Sequence, residues 1–319
     1  MSLASLKLLF LGTSSFALPS LQALHDTFDV LAVVTRPDRP AGRGKKMTSS
    51  PVKEESLKHK LKIYQPQNKK ELQAVLEETN PQVLVNVAFG MFLPESVLNF
   101  PPLGCVNLHP SLLPAYRGAA PIQRTLMNGE EITGVTVLYM TPRMDAGEII
   151  LQEKVKIKPG ENFGSLHDRL AQFGAEKLQE ALALIARGKA PRRPQNDAAA
   201  TYAPVLTKEE EKIRWSKPAG DIYNQIRALA PLPGAYTLYR QKRLKIREAS
   251  LLSTAQAGLP EELFSLPPGT VCQVDKEYFT VTTGEQLLKV FALQPAGKRK
   301  MSTADFLKGY ELKVGEKLG

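Results

Sequence analysis

Residues 82–89, QVLVNVAF, form an almost unbroken apolar run, and this run is the clearest indication of the fold. A strand with one solvated face alternates polar and apolar residues, whereas a strand covered by helices on both faces stays apolar throughout. A second apolar run, LGCVNLH at 103–109, ends against Pro110, which cannot continue a strand. Both runs therefore favour buried strands of an α/β domain.

Strands and helices alternate on both sides of these runs as far as residue 188. Ser50 before Pro51 has the form of a helix N-cap followed by the first helical position. Asn68, with Glu71 three residues later, resembles a capping box and predicts a helix that ends near Thr79. The alternation predicts a doubly wound α/β domain. The predicted strands include 6–12, 30–35, 82–89 and 103–109, then TGVTVLYM and GEIILQEKVKI, and the predicted helices include 16–25, 68–79, 121–128 and 165–187.

The periodic pattern stops at residues 189–208, KAPRRPQNDAAATYAPVLTK. This stretch is rich in proline and small residues, which predicts a linker. Short strands with turn signals between them follow it: AYTLY, RLKIREA, GTVCQV, YFTVTT and QLLKVFAL. Such spacing is typical of a small β-barrel of the oligonucleotide-binding type. The predicted organisation is an α/β domain over 1–188, a linker over 189–208 and a β-barrel over 209–319.

Composition limits the classes of function. The net charge of +10 favours a polyanionic partner, nucleic acid before an anionic membrane. No apolar stretch approaches the roughly 20 residues that span a bilayer, and the N-terminus lacks the basic start and cleavage site of a signal peptide, so a cytoplasmic protein is expected. Cys105 and Cys272 lie in separate apolar segments and are predicted to be buried free thiols. Four scattered histidines and no CxxC pair predict no metal site.

Three polar side chains stand where predicted strands end. Asn107 and His109 are two apart on one strand, so they point to the same side, and Asp145 follows the next strand in YMTPRMDAGEI. An amide N–H can stabilise a developing oxyanion, an imidazole can take a proton, and a carboxylate can orient that imidazole. This set suits acyl transfer. Because the GxSxG nucleophile motif is absent, the pattern assigns the nucleophile to the substrate.

Each of these three residues also has a structural explanation. A single histidine at a strand end is more often structural than catalytic, and an asparagine near a turn usually bonds its own backbone. An aspartate shortly before a glycine is ordinary in turns. The residue types alone therefore leave the catalytic and the structural interpretation open.

The segment 107–150 resembles the signature of the folate-dependent formyltransferases. NLHPSLLPAYRGAAPIQRTLMNGE and TGVTVLYMTPRMDAGEII carry the Asn-x-His pair, the Ser-Leu-Leu-Pro turn and the Asp-x-Gly element of that family. The resemblance implies a Rossmann-like formyltransferase domain, 10-formyltetrahydrofolate as the co-substrate and an amine as the acceptor. It also implies that Asn107, His109 and Asp145 are catalytic. The residues that it places around the folate are Phe89, Gly90, Phe92, Leu93, Ser111, Leu112, Leu113 and Pro114.

The flanking segments resemble those of family members that formylate the methionine of an initiator tRNA. These segments are VVTRPDRPAGRGKKMTSSPVK at 33–53, the 189–208 stretch and PAGKRKMSTADFLKG. The resemblance implies initiator methionyl-tRNA as the partner, a role in translation initiation and a monomer. Two departures are visible: GTSSFA at 12–17, where the family more often has Gly-Thr-Pro, and Leu232, where a tryptophan is common.

Two groups of basic residues are candidates for contact with tRNA. One crowds the 33–53 loop, and the other alternates with Leu244 and Ile246 along RLKIRE, which predicts a strand with a basic outer face. In both places a solvated surface is the alternative explanation. The candidates are Arg36, Arg39, Arg43, Lys45, Lys46, Arg243, Lys245 and Arg247.

Three other functions compete with transfer to tRNA. A formyltransferase for a sugar or other small-molecule amine that bears phosphate would need a Gly-rich anion cradle after the first strand, and GTSSFALP supplies only Gly12. A dinucleotide-dependent dehydrogenase would need a GxGxxG motif after the first strand, and the sequence does not have one there. A non-catalytic RNA-binding module would leave Asn107, His109 and Asp145 without a purpose.

Overall fold

A computed structural model describes residues 5–41, 46–252, 263 and 265–319. The chain divides into two compact units. The first unit contains residues 1–121, 132–156 and 167–203, and the second contains residues 122–131, 157–166 and 204–319. Most of the 189–208 stretch therefore belongs to the first unit.

A mixed seven-stranded sheet forms the centre of the first unit, in the order β10-β9-β7-β6-β1-β2-β5. Five consecutive strands of this order are parallel to one another: β7, β6, β1, β2 and β5. Strands β9 and β10 add an antiparallel edge beside β7. The α/β prediction is thus confirmed, with a mixed rather than an all-parallel sheet. The strands are β1 Lys7–Gly12, β2 Asp29–Val34, β3 Arg39–Ala41, β4 Lys46–Thr48, β5 Ile63–Tyr64, β6 Val83–Val87, β7 Cys105–His109, β8 Arg117–Gly118, β9 Ile132–Tyr139, β10 Ile149–Lys156 and β11 Tyr202–Ala203.

The helices begin where their capping residues predict. Ser50 Oγ accepts a hydrogen bond from the Lys53 amide at 3.0 Å, and Asn68 Oδ1 accepts one from the Glu71 amide at 3.0 Å. Each bond satisfies a backbone donor that has no partner within its own helix. No helix among the described residues is both long and apolar enough to cross a membrane. The helices are α1 Leu18–His25, α2 Pro51–Lys58, α3 Lys69–Thr79, α4 Glu95–Leu98, α5 Pro121–Met127, α6 Phe163–Ala186, α7 Ala219–Ala228 and α8 Thr303–Gly309.

The carboxyl ends of the parallel strands place several loops side by side. Asn86 at the end of β6 pairs in register with Asn107 of β7, so the loops after these two strands are neighbours. Thr13 Oγ1, just after β1, donates to the Phe89 carbonyl at 2.9 Å and joins the loop after β1 to the loop after β6. The chain order reverses between β1 and β6, and ligands bind in the crevice outside such a reversal in open α/β sheets.

The second unit is built on a curled antiparallel sheet in the order β12-β13-β16-β15-β14, with β17 paired to β16. Its inner face packs around Trp215, Phe279 and Phe306, which are all buried. The Trp215 indole N–H donates to Thr237 Oγ1 at 3.0 Å, so this large side chain is buried with its polar atom satisfied. The strands are β12 Tyr236–Tyr239, β13 Lys242–Leu252, β14 Val271–Val274, β15 Phe279–Thr282, β16 Leu287–Pro295 and β17 Met301–Ser302.

Candidate active site

Asn107, His109 and Asp145 lie together at the carboxyl end of β7. Asn107 Nδ2 donates to Asp145 Oδ1 at 3.4 Å, and His109 Nδ1 lies 3.6 Å from Asp145 Oδ2. Asn107 and His109 are only 8% and 4% exposed, so the three groups meet in a largely water-excluded place. Electrostatic interactions are stronger there than in water. The structure thus brings together the three side chains that the sequence singled out.

The His109 ring has a defined orientation. Nε2 lies 2.9 Å from the Tyr116 carbonyl oxygen, and since a carbonyl can only accept, Nε2 carries the proton in this contact. Nδ1 then faces the Asp145 carboxylate with its lone pair in the neutral ring. A proton taken up at Nδ1 would give an imidazolium whose two N–H groups both face an oxygen. The geometry therefore suits proton uptake at Nδ1.

Asn86 is a site residue that sequence reasoning missed. Its Nδ2 donates to Asn107 Oδ1 at 2.7 Å, so the amide group of Asn107 is turned with its N–H atoms toward Asp145. The Oδ1 atom of Asn86 is buried and has no hydrogen-bond partner among the described residues. The signal was available in the sequence, because Asn86 is the polar exception in an otherwise apolar strand.

The loop that carries Asp145 is held in an unusual backbone conformation. Asp145 has φ +51°, in the left-handed region that L residues seldom adopt. The Gly118 amide donates to Asp145 Oδ2 at 2.9 Å. Gly147 packs directly on β9, where a Cβ atom would lie 1.7 Å from the Tyr139 carbonyl oxygen. Only glycine fits this position, so the close approach fixes the loop that follows Asp145.

The eight residues assigned to the folate pocket fall into two groups in the structure. Gly90 and Phe92 are exposed, and Leu112 and Pro114 are partly exposed, so these four have solvent-accessible surface. The buried members stabilise the loops: Leu113, for example, packs on Leu138 and Ile149. The buried members are Phe89, Leu93, Ser111 and Leu113.

Neither of the nucleophilic side chains nearest the site in sequence is activated. The Cys105 thiol is buried in β7 and bonds to the carbonyls of Val97 and Leu98, and burial raises its pKa to about 12. The Ser111 hydroxyl donates to the Ala115 carbonyl at 2.7 Å. Within the described residues no cluster of three or more His, Cys, Asp or Glu side chains could hold a metal ion. The chemistry that these residues can perform is therefore hydrogen bonding to a developing charge and proton transfer.

Comparison with known proteins identifies the family of the chain. The family model described as "Formyl transferase" matches residues 6–182, and the model described as "Formyl transferase, C-terminal domain" matches residues 205–311. The chain belongs to the formyl transferase family. It is 49% identical to the methionyl-tRNA formyltransferase of Moorella thermoacetica over 98% of this chain and 99% of that protein. It is 44% identical to the methionyl-tRNA formyltransferase of Syntrophus aciditrophicus over 99% of this chain and 100% of that protein.

Solved structures with the same fold are more distant in sequence. HypX of Aquifex aeolicus, in complex with tetrahydrofolic acid, matches with a TM-score of 0.65 and 17% identity, over 98% of this chain and 50% of that one. An N-formyltransferase of Helicobacter canadensis, in complex with folinic acid and dTDP-3-aminofucose, matches with a TM-score of 0.66 and 18% identity, over 93% and 100%. At these identities, the likeness to both structures concerns the fold.

In this formyl transferase, two short strands lie within the basic 33–53 loop. Strands β3 and β4 pair antiparallel, and Arg39 and Lys46 on them are exposed. Arg43 and Lys45 lie outside the described residues. Asp38, the acidic residue of the loop, bonds Lys53 at 2.7 Å, and this contact lowers the pKa of Asp38. Within the part of the chain that the structure describes, Arg36, Arg39 and Lys46 form no ion pair.

The basic residues of β13 behave differently from one another. Leu244 and Ile246 are buried, as the alternation predicts, and Arg243 is exposed beside the Tyr236 ring. Lys245 Nζ donates to the Pro233 carbonyl at 2.6 Å, and burial together with the nearby charge of Arg247 lowers the pKa of Lys245. Arg247 donates to the Pro231 carbonyl and to Gln294. Lys245 and Arg247 therefore hold the 231–233 segment of the same unit, which the sequence did not reveal.

Proposed function

We propose that the protein transfers the formyl group of 10-formyltetrahydrofolate to the α-amino group of methionine on initiator methionyl-tRNA, for translation initiation. One observation carries the proposal: an amide, an imidazole and a carboxylate converge, while neither Cys105 nor Ser111, the nucleophilic side chains nearest in sequence, is activated. The family membership supports formyl transfer, and the near-full-length identity to methionyl-tRNA formyltransferases supports tRNA as the acceptor. Because initiator tRNA is used where translation starts, the proposal places the reaction in the cytoplasm.

The reaction that fits this site is a direct transfer without a covalent enzyme intermediate. The uncharged amine of methionine attacks the formyl carbon, and an N–H of Asn107 donates to the oxyanion that develops. His109 accepts the proton that the amine loses, at Nδ1, and Asp145 stabilises the imidazolium. The bond between the formyl carbon and N10 of the folate then breaks, N10 takes a proton, and tetrahydrofolate leaves.

The folate is assigned to the crevice between the loops after β6 and β7. These loops are neighbours because Asn86 and Asn107 pair in register, and the exposed face of Phe92 and the backbone at Gly90 are open to a ligand. Leu112 and Pro114 border the crevice from the other loop. The remaining residues assigned to the folate are buried, so they would contribute mainly by shaping these loops. They are Phe89, Leu93, Ser111 and Leu113.

The tRNA is assigned to the basic 33–53 loop and to the β-barrel of residues 209–319. Arg36, Arg39 and Lys46 supply cations that no carboxylate of the described residues neutralises, and Arg43 and Lys45 belong to the same loop by sequence. On the barrel, Arg243 is the exposed member of the β13 set. Lys245 and Arg247 would contribute by holding the 231–233 segment. We propose that the protein acts as a monomer, which sedimentation with and without tRNA checks.

The experiment that tests the proposal uses the purified chain with 10-formyltetrahydrofolate labelled in the formyl group. One reaction contains a pool of tRNA charged with methionine, and a second contains the same pool uncharged. Label that enters only the charged pool, and is released as formylmethionine on deacylation, is the expected result. Absence of label from charged initiator tRNA would refute the proposal.

The alternative acceptor is the amine of a sugar or another small molecule. A phosphate-bearing acceptor of this kind would favour a glycine loop that cradles anions after β1. Gly12 serves a different purpose in the structure, because a Cβ atom there would lie 2.7 Å from the Phe10 ring and 3.2 Å from the Val87 carbonyl oxygen. The glycine allows β1 and β6 to approach closely. A third reaction with nucleotide-linked amino sugars is expected to take up no label.

A further inference from the structure

The segment after α6 contacts the loop that carries Asp145. Gln195 Nε2 donates to the Asp145 carbonyl oxygen at 2.8 Å and to the Gly147 carbonyl oxygen at 2.8 Å. The two bonds span the residues of the turn, so a single side-chain amide clamps its backbone. All three residues belong to the first unit. The sequence predicted a linker at this place, and nothing in its pattern distinguished Gln195.

The orientation of the Gln195 amide is fixed by a buried arginine. Arg117 is 2% exposed, and its Nε and one terminal nitrogen donate to Gln195 Oε1 at 3.1 and 2.8 Å. An arginine can only donate, so Gln195 must present its oxygen to Arg117 and its NH₂ group to the loop. Asp197 accepts a further bond from Arg117 at 2.8 Å and lies half exposed. The same terminal nitrogen of Arg117 therefore bonds both Gln195 and Asp197.

The same short segment also holds the side chain of Asp145. Gly118 follows Arg117 in β8, and its amide donates to Asp145 Oδ2 at 2.9 Å. Strand β8 pairs with β11, which lies a few residues beyond Gln195. Residues 117–118 and 195–203 thus hold both the carboxylate and the backbone of Asp145. The left-handed conformation of Asp145 is one that needs such support from its surroundings.

We propose that Gln195 is a positioning residue, which fixes Asp145 toward His109 and is itself oriented by Arg117. The proposal rests on the transfer reaction argued above. Without the clamp, the turn at Asp145 relaxes toward the right-handed region and the carboxylate leaves its place beside the imidazole. A displacement of about 1 Å at a reacting group can reduce a rate about 100-fold. Binding of either substrate needs no contact with Gln195 and should change little.

Two substitutions distinguish positioning from simple packing. Gln195→Ala removes both bonds to the loop and the acceptor for Arg117. Gln195→Glu keeps an acceptor for Arg117, but a carboxylate has no hydrogen to donate and repels the two carbonyl oxygens. If Gln195 only satisfies the buried guanidinium, Gln195→Glu rescues activity. If Gln195 positions Asp145, we expect both variants to lose kcat about 10- to 100-fold while both KM values stay near those of the wild type.

A matched control lies elsewhere in the first unit. Gln179 Nε2 also makes two donations, to the Ala23 carbonyl and to Thr27 Oγ1, each at 2.8 Å, and none of these residues belongs to the candidate site. Gln179→Ala should reduce the melting temperature about as much as Gln195→Ala and leave kcat unchanged. Asp145→Ala completes the design. Because Gln195 acts through Asp145, the variant that carries both Gln195→Ala and Asp145→Ala should have a kcat no lower than that of Asp145→Ala alone.

Three results would overturn the inference: wild-type kcat in a folded Gln195→Ala protein, rescue by Gln195→Glu, or losses that multiply in the double variant with Asp145→Ala. The wild type is measured first in the same assay. A wild type that does not formylate methionyl-tRNA refutes the proposed function, whereas an active wild type matched by the Gln195 variants refutes only the role of Gln195. The two failures are therefore distinguishable.

Discussion

Asn107→Ala tests the site most directly, because the side chain has both a proposed catalytic bond and structural bonds. Removal of one donor to an oxyanion reduces turnover about 100- to 1000-fold in enzymes that transfer acyl groups. The same change deletes the bond from Asn86 at 2.7 Å and the long bond to Asp145 at 3.4 Å. At about 1 kcal/mol for the neutral bond and about 1.5 kcal/mol for the charged one, the free energy of unfolding falls by about 2 to 3 kcal/mol.

The assay is single-turnover transfer at saturating folate, run well below the melting temperature of the variant. The melting temperature should fall by about 2 to 4 °C for each kcal/mol in a unit of this size, so the variant stays folded at 25 °C. Folate affinity, measured by titration, should be nearly unchanged, because Asn107 donates to a charge that exists only during the reaction.

Asn86→Ala is the matched control for Asn107→Ala. It deletes the same bond between the two amides, at about 1 kcal/mol, but it leaves the N–H atoms of Asn107 and their bond to Asp145 in the site. Its loss in kcat should fall well short of the range expected for Asn107→Ala. Equal losses in the two variants would mean that Asn107 acts only through the hydrogen-bond network, and the assignment as oxyanion donor would be wrong.

Five further substitutions have definite expected results. His109→Ala should lower kcat about 100- to 10,000-fold with folate affinity retained, and near-normal turnover in a less stable protein would support the structural interpretation instead. Gly147→Ala places a Cβ atom 1.7 Å from a backbone oxygen of β9 and should cut kcat by moving Asp145, whereas Gly220→Ala, with nothing within 4 Å, should leave kcat alone. Arg43→Lys should narrow the kcat/KM preference for initiator over elongator methionyl-tRNA if Arg43 binds through its planar fork, while Lys46→Ala should weaken both tRNAs equally. A wild-type preference in Arg43→Lys would make Arg43 a simple phosphate contact.

Sequence patterns predicted the features that depend on residues close together in the chain. The caps at Ser50 and Asn68 form the predicted bonds, since a helix must satisfy its first amides with a nearby side chain. The pairing of Asn107 with His109 followed from the period of two along a strand. Strand β9 runs antiparallel beside β7 and ends with Tyr139 opposite Val106, and the turn after β9 brings Asp145 back to Asn107, a contact that the period of the strands does not predict.

The supports of the site were beyond prediction because they depend on contacts between distant parts of the chain. Arg117 and Gln195 are 78 positions apart, and the strands that bring their segments together, β8 and β11, have two residues each. A strand of two residues is too short to show an alternation of polar and apolar residues, so the pattern around Gln195 indicated a linker. Its proline and small residues in fact follow the surface of the first unit, where the bonds are made by individual side chains.

The basic residues of strand β13 show the same limit of prediction from the sequence pattern. Alternation correctly predicted that Leu244 and Ile246 face inward and that three cations face outward. It could not predict that the 231–233 segment returns over this face and offers carbonyl oxygens to Lys245 and Arg247. An ammonium that donates to a carbonyl at 2.6 Å keeps two N–H groups for a phosphate, but that bond restricts where the ammonium can reach. The outward face of β13 therefore offers one readily available cation, Arg243, where the sequence counted three.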